Sequence, residues 1–234
     1  MRYSIIIPIF NEAKNIKLTI KRVSKILNKK KIVYEIIFVD DDSTDNSEKV
    51  YKNFKTSKTK FFLRKDKPRD LSRSVVFGFK KAKFNNLAVM DGDLQHTPND
   101  LINLIKEFNH NKHDIVIGSR NMISSKKVNL NPLRFYISNL LNMVTNRLFE
   151  LDLKDPMSGF FIIKKKIFLN SKRKLFLRGY KILLDIILSS RKQLKIKEVF
   201  INFKSRDKGF SKMRLKILLQ LIIFMIVKFF TKIK

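Results

Sequence analysis

The chain has 234 residues, with 51 Lys and Arg against 20 Asp and Glu, which gives a formal charge of +31. Its 44% apolar content can bury a substantial core, so neither a disordered chain nor a small stapled scaffold fits. With no cysteine there is no disulfide framework, Cys-ligated zinc, iron–sulfur cluster or thiol nucleophile, and three His leave little room for a His-based metal site.

In chain order, Tyr3–Pro8 (YSIIIP) reads as a buried strand; it lacks the long apolar run and small-residue cleavage site of a signal peptide. From Glu12 to Leu27, Ile16, Ile20, Val23 and Ile26/Leu27 recur at helical spacing, and Tyr34–Asp40 returns to a short β-forming apolar run. Further strands are expected at Lys60–Arg64, Leu87–Met90 and Asp114–Gly118, with helices at about 43–54, 71–82 and 98–108 between them. Alternating helices and near-continuous apolar strands predict an α/β fold, a mainly parallel sheet covered by helices on both faces.

After Asn129 the pattern lengthens to a helix at Pro132–Phe149, then an apolar stretch Pro156–Ile163, a helix at Tyr180–Ser190 and a strand-like alternation at Lys195–Phe203. No linker or repeat marks a second independent domain, so residues 1–210 form one unit and 211–234 an extension. That extension holds ILLQLIIFMIV, residues 217–227, which as a helix covers roughly 16 Å, about half of the ~30 Å that a spanning helix must cross. Flanked by Lys212, Arg214, Lys216, Lys228, Lys232 and Lys234, it is expected to lie in a membrane interface against anionic headgroups; packing on the core or on a second subunit is the other reading. The charge is weighted the same way. Residues 160–234 carry 21 Lys and Arg against 3 acids, and residues 1–159 carry 30 against 17.

Four motifs fall where strands end, the edge at which open α/β sheets bind ligands. Ile7-Pro8-Ile9-Phe10-Asn11-Glu12 follows the first strand, and Val39-Asp40-Asp41-Asp42-Ser43-Thr44-Asp45 the second. Four carboxylates within six residues repel unless cations or donors compensate them; a base or ribose is one use, and helix capping, with Asp42 and Asp45 the better-suited residues, is another. Asp91-Gly92-Asp93-Leu94-Gln95-His96 supplies hard oxygen ligands suited to Mg²⁺ or Mn²⁺, or else a simple turn, with His96 a polar loop residue rather than a ligand. Gly118-Ser119-Arg120 ends the fifth strand with a cation able to clamp a phosphate or form a surface ion pair.

Taken in order, IIIPIFNE, VDDDSTD, RDLSRSVVFGF, MDGDLQH, IGSR, DPMSGF and RDKGFSK resemble the family-2 inverting glycosyltransferases, most closely those that make dolichyl- or polyprenyl-phosphate mannose. The resemblance runs from residue 5 to about 212 and implies a glycosyltransferase-A type, Rossmann-like catalytic domain using a nucleotide sugar. It implies that Pro8, Phe10, Glu12 and Asp41 hold the donor nucleoside, that the helix from Leu71 approaches its phosphates, and that Asp91, Asp93 and Gln95 serve the metal and diphosphate. Asp93 and Arg120 would be catalytic. Arg120, Arg134, Ser138, Arg206 and Lys212 would address the acceptor phosphate. Departures from the common pattern are Asp42 where Gly is frequent, Asp70 in place of Gly, and Gly92 where Ala is frequent.

A hydroxyl acceptor needs a general base, whereas a phosphate monoester is already ionised and needs cations and positioning. Asp185 is the plausible base of the C-terminal half, yet its apolar neighbours favour a core or pairing role. The expected reaction is therefore inverting transfer of a hexose, mannose from GDP-mannose first, to polyprenyl or dolichyl monophosphate at the cytoplasmic face of a membrane. UDP-glucose or another nucleotide sugar, and a glycan hydroxyl acceptor, are the alternatives; a nucleic-acid partner would leave the acidic strand ends unexplained. A membrane subunit or a homodimer is a further possible partner.

Overall fold

The apolar strands predicted above form the centre of a computed structural model that describes residues 1–110, 112–120, 132–179, 181–190, 193–201 and 215–232. Seven strands, β1 (Arg2–Ile9), β2 (Val33–Asp40), β3 (Thr59–Leu63), β4 (Asn86–Val89), β5 (Ile115–Arg120), β6 (Phe161–Lys164) and β7 (Ile196–Ile201), make one sheet in the order β3-β2-β1-β4-β6-β5-β7. All pairings are parallel except those of β6, which runs antiparallel to both β4 and β5. The expectation of a mainly parallel sheet holds; the reversed strand is a feature that periodicity does not reveal.

Alternate residues of each strand point to opposite faces, and two cores follow. Ile5, Ile7 and Ile9 of β1 pack with Ile36 and Phe38 against α1 (Ala13–Lys29) and α4 (Pro98–His110) through Ile16, Ile20, Val23, Leu101 and Ile105. On the other face Ile6, Ile37, Val39, Leu87 and Val89 meet Val75, Val76 and Phe79 of α3 (Leu71–Lys81) and Ile182, Leu183 and Ile186 of α7 (Ile182–Ser189). The short α2 (Ser47–Phe54), which begins four residues later than expected, and α6 (Lys165–Ser171) complete the cover.

A third, smaller cluster joins α5 (Pro132–Phe149), α7 and α8 (Leu215–Lys232) through Phe149, Leu184, Leu221, Phe224 and Met225. The C-terminal helix is thus two-faced. Its inner face is core, whereas Ile222, Ile223, Ile226, Val227 and Phe230 are exposed, as are Leu140, Met143 and Val144 of α5. Among the described residues no helix is long and apolar enough to cross a membrane.

Candidate active site

Strand direction decides what meets at the site. β1, β2, β4 and β5 all end at one edge of the sheet, and because β6 is reversed, the turn that feeds it, residues 155–160, starts at that same edge. The order reverses between β1 and β4, so the switch point at which such sheets bind ligands lies between the Phe10–Glu12 loop and the Asp91–Gln95 loop, with the Asp40–Asp45 loop beside the first.

The first two loops are stitched to each other. Asn11, at φ 58°, accepts from Thr44 N at 2.9 Å through its Oδ1 and donates its backbone N–H to Ser43 Oγ at 2.8 Å, while Ala13 N, at the start of α1, donates to Asp45 Oδ2 at 2.8 Å. Pro8 lies buried in β1, Phe10 carries the Arg69 guanidinium 4.8 Å over its ring, and Glu12 accepts from Asn15 Nδ2 at 2.6 Å.

Each of the four crowded carboxylates has its own compensation. Asp40 accepts from Ser43 N at 2.8 Å; burial raises its pKa against that bond, and the charges of Asp45 and Asp41 add to the rise. Asp41 is buried, with one oxygen paired to the buried Arg64 and the other accepting from Asp70 N at 2.7 Å. Asp45 stands one residue before the Asn46 N-cap of α2 and accepts from the first-turn amides Ser47 N at 3.2 Å and, on α1, Ala13 N, so it serves both helix starts without occupying a cap position. Asp42 does not cap. It sits at φ 65°, the left-handed region that explains why glycine suits this position, and reaches outward to Lys67 at 2.5 Å and Arg69 at 3.0 Å, whose bonds hold its carboxyl below the ordinary value.

Asp70, read from sequence only as a departure, is the N-cap of α3: it accepts from Ser72 N at 2.9 Å and Arg73 N at 3.3 Å, and from Gly179 N at 2.5 Å. Two of the first-turn amides that the resemblance turned toward donor phosphates are therefore already taken by this carboxylate. The D-L-S spelling is itself an N-cap signal, so local reading could have found it.

In the third loop Asp93 Oδ1 accepts from Gln95 N at 3.1 Å, and Gln95 is buried. His96 is a loop residue, as expected, with its ring buried: it stacks on Phe160, centroids 4.5 Å apart, and its Nε2 lies 3.2 Å from Asp91 Oδ2. Two glycines allow the close approaches here. A Cβ on Gly159 would stand 3.2 Å from Asp91 Oδ1, and one on Gly92 would stand 2.8 Å from Ile9 Cγ2, which is why alanine is unsuited to this DGD.

Arg120, at the end of β5, grips Asp155 in a fork, Nε at 2.8 Å and a terminal nitrogen at 3.1 Å from its two oxygens. Burial works against the Arg120 charge, but Asp155, and beyond it Asp91, outweigh that and raise its pKa. Asp155 is 1% exposed, and its backbone N–H and that of Lys154 donate to Glu198 at 2.8 and 2.7 Å. The DPMSGF motif by itself gives this aspartate no role, because its partner Arg120 is 35 residues away in the chain. Positions 134 and 138 fall on α5, with side chains outside the described residues, and Arg206 and Lys212 lie outside them altogether.

Asp185 is 3% exposed and has the pairing role, bonded to Lys228 of α8 at 2.5 Å and accepting from Phe176 N at 2.8 Å. Among the described residues no group of three or more His, Asp and Glu is assembled to bind a metal. The donor set of Asp91, Asp93 and the amide of Gln95 fits instead a hard cation of the Mg²⁺ kind, held by one or two carboxylates and completed by substrate phosphates.

A mainly parallel sheet with paired carboxylates flanking its switch point and an arginine fork beside them has the glycosyltransferase-A architecture. Residues 4–170 match the model of glycosyl transferase family 2, and the chain belongs to that family. It is 35% identical over 216 residues to a dolichol-phosphate mannosyltransferase of Pyrococcus furiosus, covering 92% of this chain and 60% of that protein, and 32% identical to the Saccharomyces cerevisiae enzyme of the same name, covering 94% and 84%. Solved structures with the same fold include mannosyl-3-phosphoglycerate synthase from Rubrobacter xylanophilus, TM-score 0.72 at 13% identity, covering 97% of this chain and 73% of that one. Glucosyl-3-phosphoglycerate synthase from Mycobacterium tuberculosis, solved with Mn²⁺, UDP and its product, gives 0.71 at 16% identity, covering 99% and 79%.

Proposed function

We propose that this chain transfers mannose from GDP-mannose, with inversion, to a polyprenyl or dolichyl monophosphate. The observation that carries the choice of acceptor is the engagement of Asp185: the candidate base of the C-terminal half is buried in an ion pair with Lys228. An acceptor that is already ionised needs no such base, only positioning and cations. The likeness to dolichol-phosphate mannosyltransferases supports the same acceptor and sugar.

In this reading Pro8, Phe10, Glu12 and Asp41 receive the nucleoside, and Asp91, Asp93 and Gln95 would hold Mg²⁺ or Mn²⁺. When bound, the cation would neutralise charge on the departing diphosphate. His96 orients Asp91, and Asp155 fixes the Arg120 guanidinium in a single plane facing the transferred sugar and the acceptor phosphate; Arg134, Ser138, Arg206 and Lys212 complete the acceptor side. Holding two anionic substrates in line is the main work of these side chains.

Supplying labelled GDP-mannose and UDP-glucose in turn with polyprenyl phosphate and following chloroform-extractable label tests donor and acceptor together. Label from GDP-mannose is expected; label from UDP-glucose alone would replace the donor, and label only in a water-soluble glycan would replace the acceptor.

The reading also places residues 1–210 as catalytic domain at the cytoplasmic face of a membrane, held there by the outer face of α8. Deleting α8 would also remove Leu221, Phe224 and Lys228 from the core, so the sharper test keeps the inner face and changes Ile223, Ile226 and Phe230 to Glu. Loss of co-sedimentation with anionic vesicles is expected; unchanged binding would leave a membrane subunit or a second copy as the partner of α8.

A further inference from the structure

Phe160, the residue just before β6, is fully buried, and no step proposed above uses it. Its main chain is fastened to β5. Phe160 N donates to Ser158 Oγ at 3.1 Å, the same hydroxyl donates to Gly118 O at 2.7 Å, and Gly118 N donates to Phe160 O at 2.8 Å. Gly118 also makes the room for the ring, since a Cβ there would collide with the Phe160 side chain. Held in this way, the ring presents a face to His96.

The two rings lie 20° from parallel with centroids 4.5 Å apart, and His96 Nε2 is 3.2 Å from Asp91 Oδ2. A carboxylate can only accept, so the nitrogen facing it carries the proton. The other oxygen, Asp91 Oδ1, accepts no hydrogen bond among the described residues and lies against Gly159, where a Cβ would stand 3.2 Å from it. Neighbouring residues of one turn thus act on the two oxygens: Phe160 on Oδ2 through His96, and Gly159 beside Oδ1. A carboxylate that ligates a hard cation with one oxygen needs a neighbour that fixes the other. Packing alone does not call for this histidine, because an apolar side chain would cover Phe160 without the cost of burying polar nitrogens.

We propose that Phe160 is a positioning residue of the donor side: by holding the His96 ring it fixes Asp91 Oδ2 and leaves Oδ1 to the divalent cation. This rests on the reading of Asp91 as a cation ligand, and it adds the residue that sets which oxygen is presented. Phe160 reaches the Asp91 loop because β6 runs antiparallel to β4 and so begins at the edge where β4 ends.

The test is a titration of the full chain with Mn²⁺, the free ion being read from its electron paramagnetic resonance signal. Wild type is expected to bind Mn²⁺ and Asp91→Ala to lose it. Phe160→Leu, and His96→Phe, which keeps a stacked ring without the nitrogen, should each weaken binding about 10-fold or more. The double variant should be hardly weaker than either, because both changes act through one bond. Phe161→Leu is the control: the same change at an equally buried neighbour on the opposite face of the sheet should cost comparable thermal stability and leave Mn²⁺ affinity alone. A folded Phe160→Leu protein that binds as tightly as wild type overturns the assignment, as do losses that add in the double variant or an equal loss in Phe161→Leu. Should Phe160→Leu not fold, Phe160→Met takes its place on the same terms. Asp91→Ala that binds like wild type sinks the reading of Asp91 as a ligand, and the positioning role falls with it; binding lost in Asp91→Ala but kept in Phe160→Leu sinks the positioning role alone.

Discussion

Two carboxylate–cation pairs, Arg120–Asp155 and Lys228–Asp185, use the same chemistry to opposite ends. Lys228 is closed on every side: its ammonium meets Asp185 at 2.5 Å, Ser189 Oγ at 2.7 Å and Lys174 O at 2.8 Å, and both partners are about 5% exposed or less. Arg120 keeps 39% of its side chain exposed while its aspartate keeps 2%, so this pair is only half closed off from solvent. A pair with every donor satisfied fixes helices; the half-exposed pair is the one proposed to address a substrate. The first belongs to the α5–α7–α8 corner, the second to the carboxyl edge of the sheet.

Mutations separate the two regions. At the edge, Asp93→Ala should lower kcat about 100-fold or more while the thermal unfolding midpoint moves little, because the carboxylate is proposed to serve developing charge and the bond it accepts from Gln95 N lies within its own loop. Appreciable turnover in a purified, folded variant would refute the metal assignment. At the corner, Lys228→Met should do the reverse. It leaves Asp185 buried without its cation and should cost about 3 kcal/mol in denaturant unfolding, with kcat nearly unchanged in the fraction that stays folded. Adding Asp185→Leu should recover part of that loss, and a double variant no more stable than the single one would show that the pair is not the source.

Asp155→Asn tests the comparison from inside the site. It keeps the shape but halves the fork's charge complementarity, and a roughly 10-fold fall in kcat with little change in nucleotide KM is expected from steady-state kinetics. A stability loss as large as that of Lys228→Met would make Asp155 a structural residue instead. The smallest effect belongs to Asp42→Gly, which removes exposed ion pairs and relieves the φ of 65°, so its denaturant unfolding curve should nearly overlay that of wild type.

Legibility in the sequence follows the range of the interactions. The elements through residue 110, and α5, α7 and β7, match expectation because period-2 and period-3.6 apolar patterns are written locally and read against backbone geometry that every chain shares. The strand-end carboxylates were legible for the same reason. Asp42, by contrast, looks like a capping residue from its type alone, and only Lys67 and Arg69, brought back by β3 and the chain after it, turn it outward. His96 looks like a polar loop residue until Phe160, far along the chain, supplies the surface on which it stacks.

By itself the sequence determined an α/β chain without cysteine, the alternation of strands and helices through residue 110, and the acidic motifs at strand ends, since each depends on neighbours a few residues apart. Tertiary structure alone decided that β6 runs backwards, which carries Asp155 to Arg120, and that α8 returns Lys228 to Asp185. Both outcomes rest on pairing partners tens of residues away, where burying a charge is tolerable only once its counter-charge has arrived.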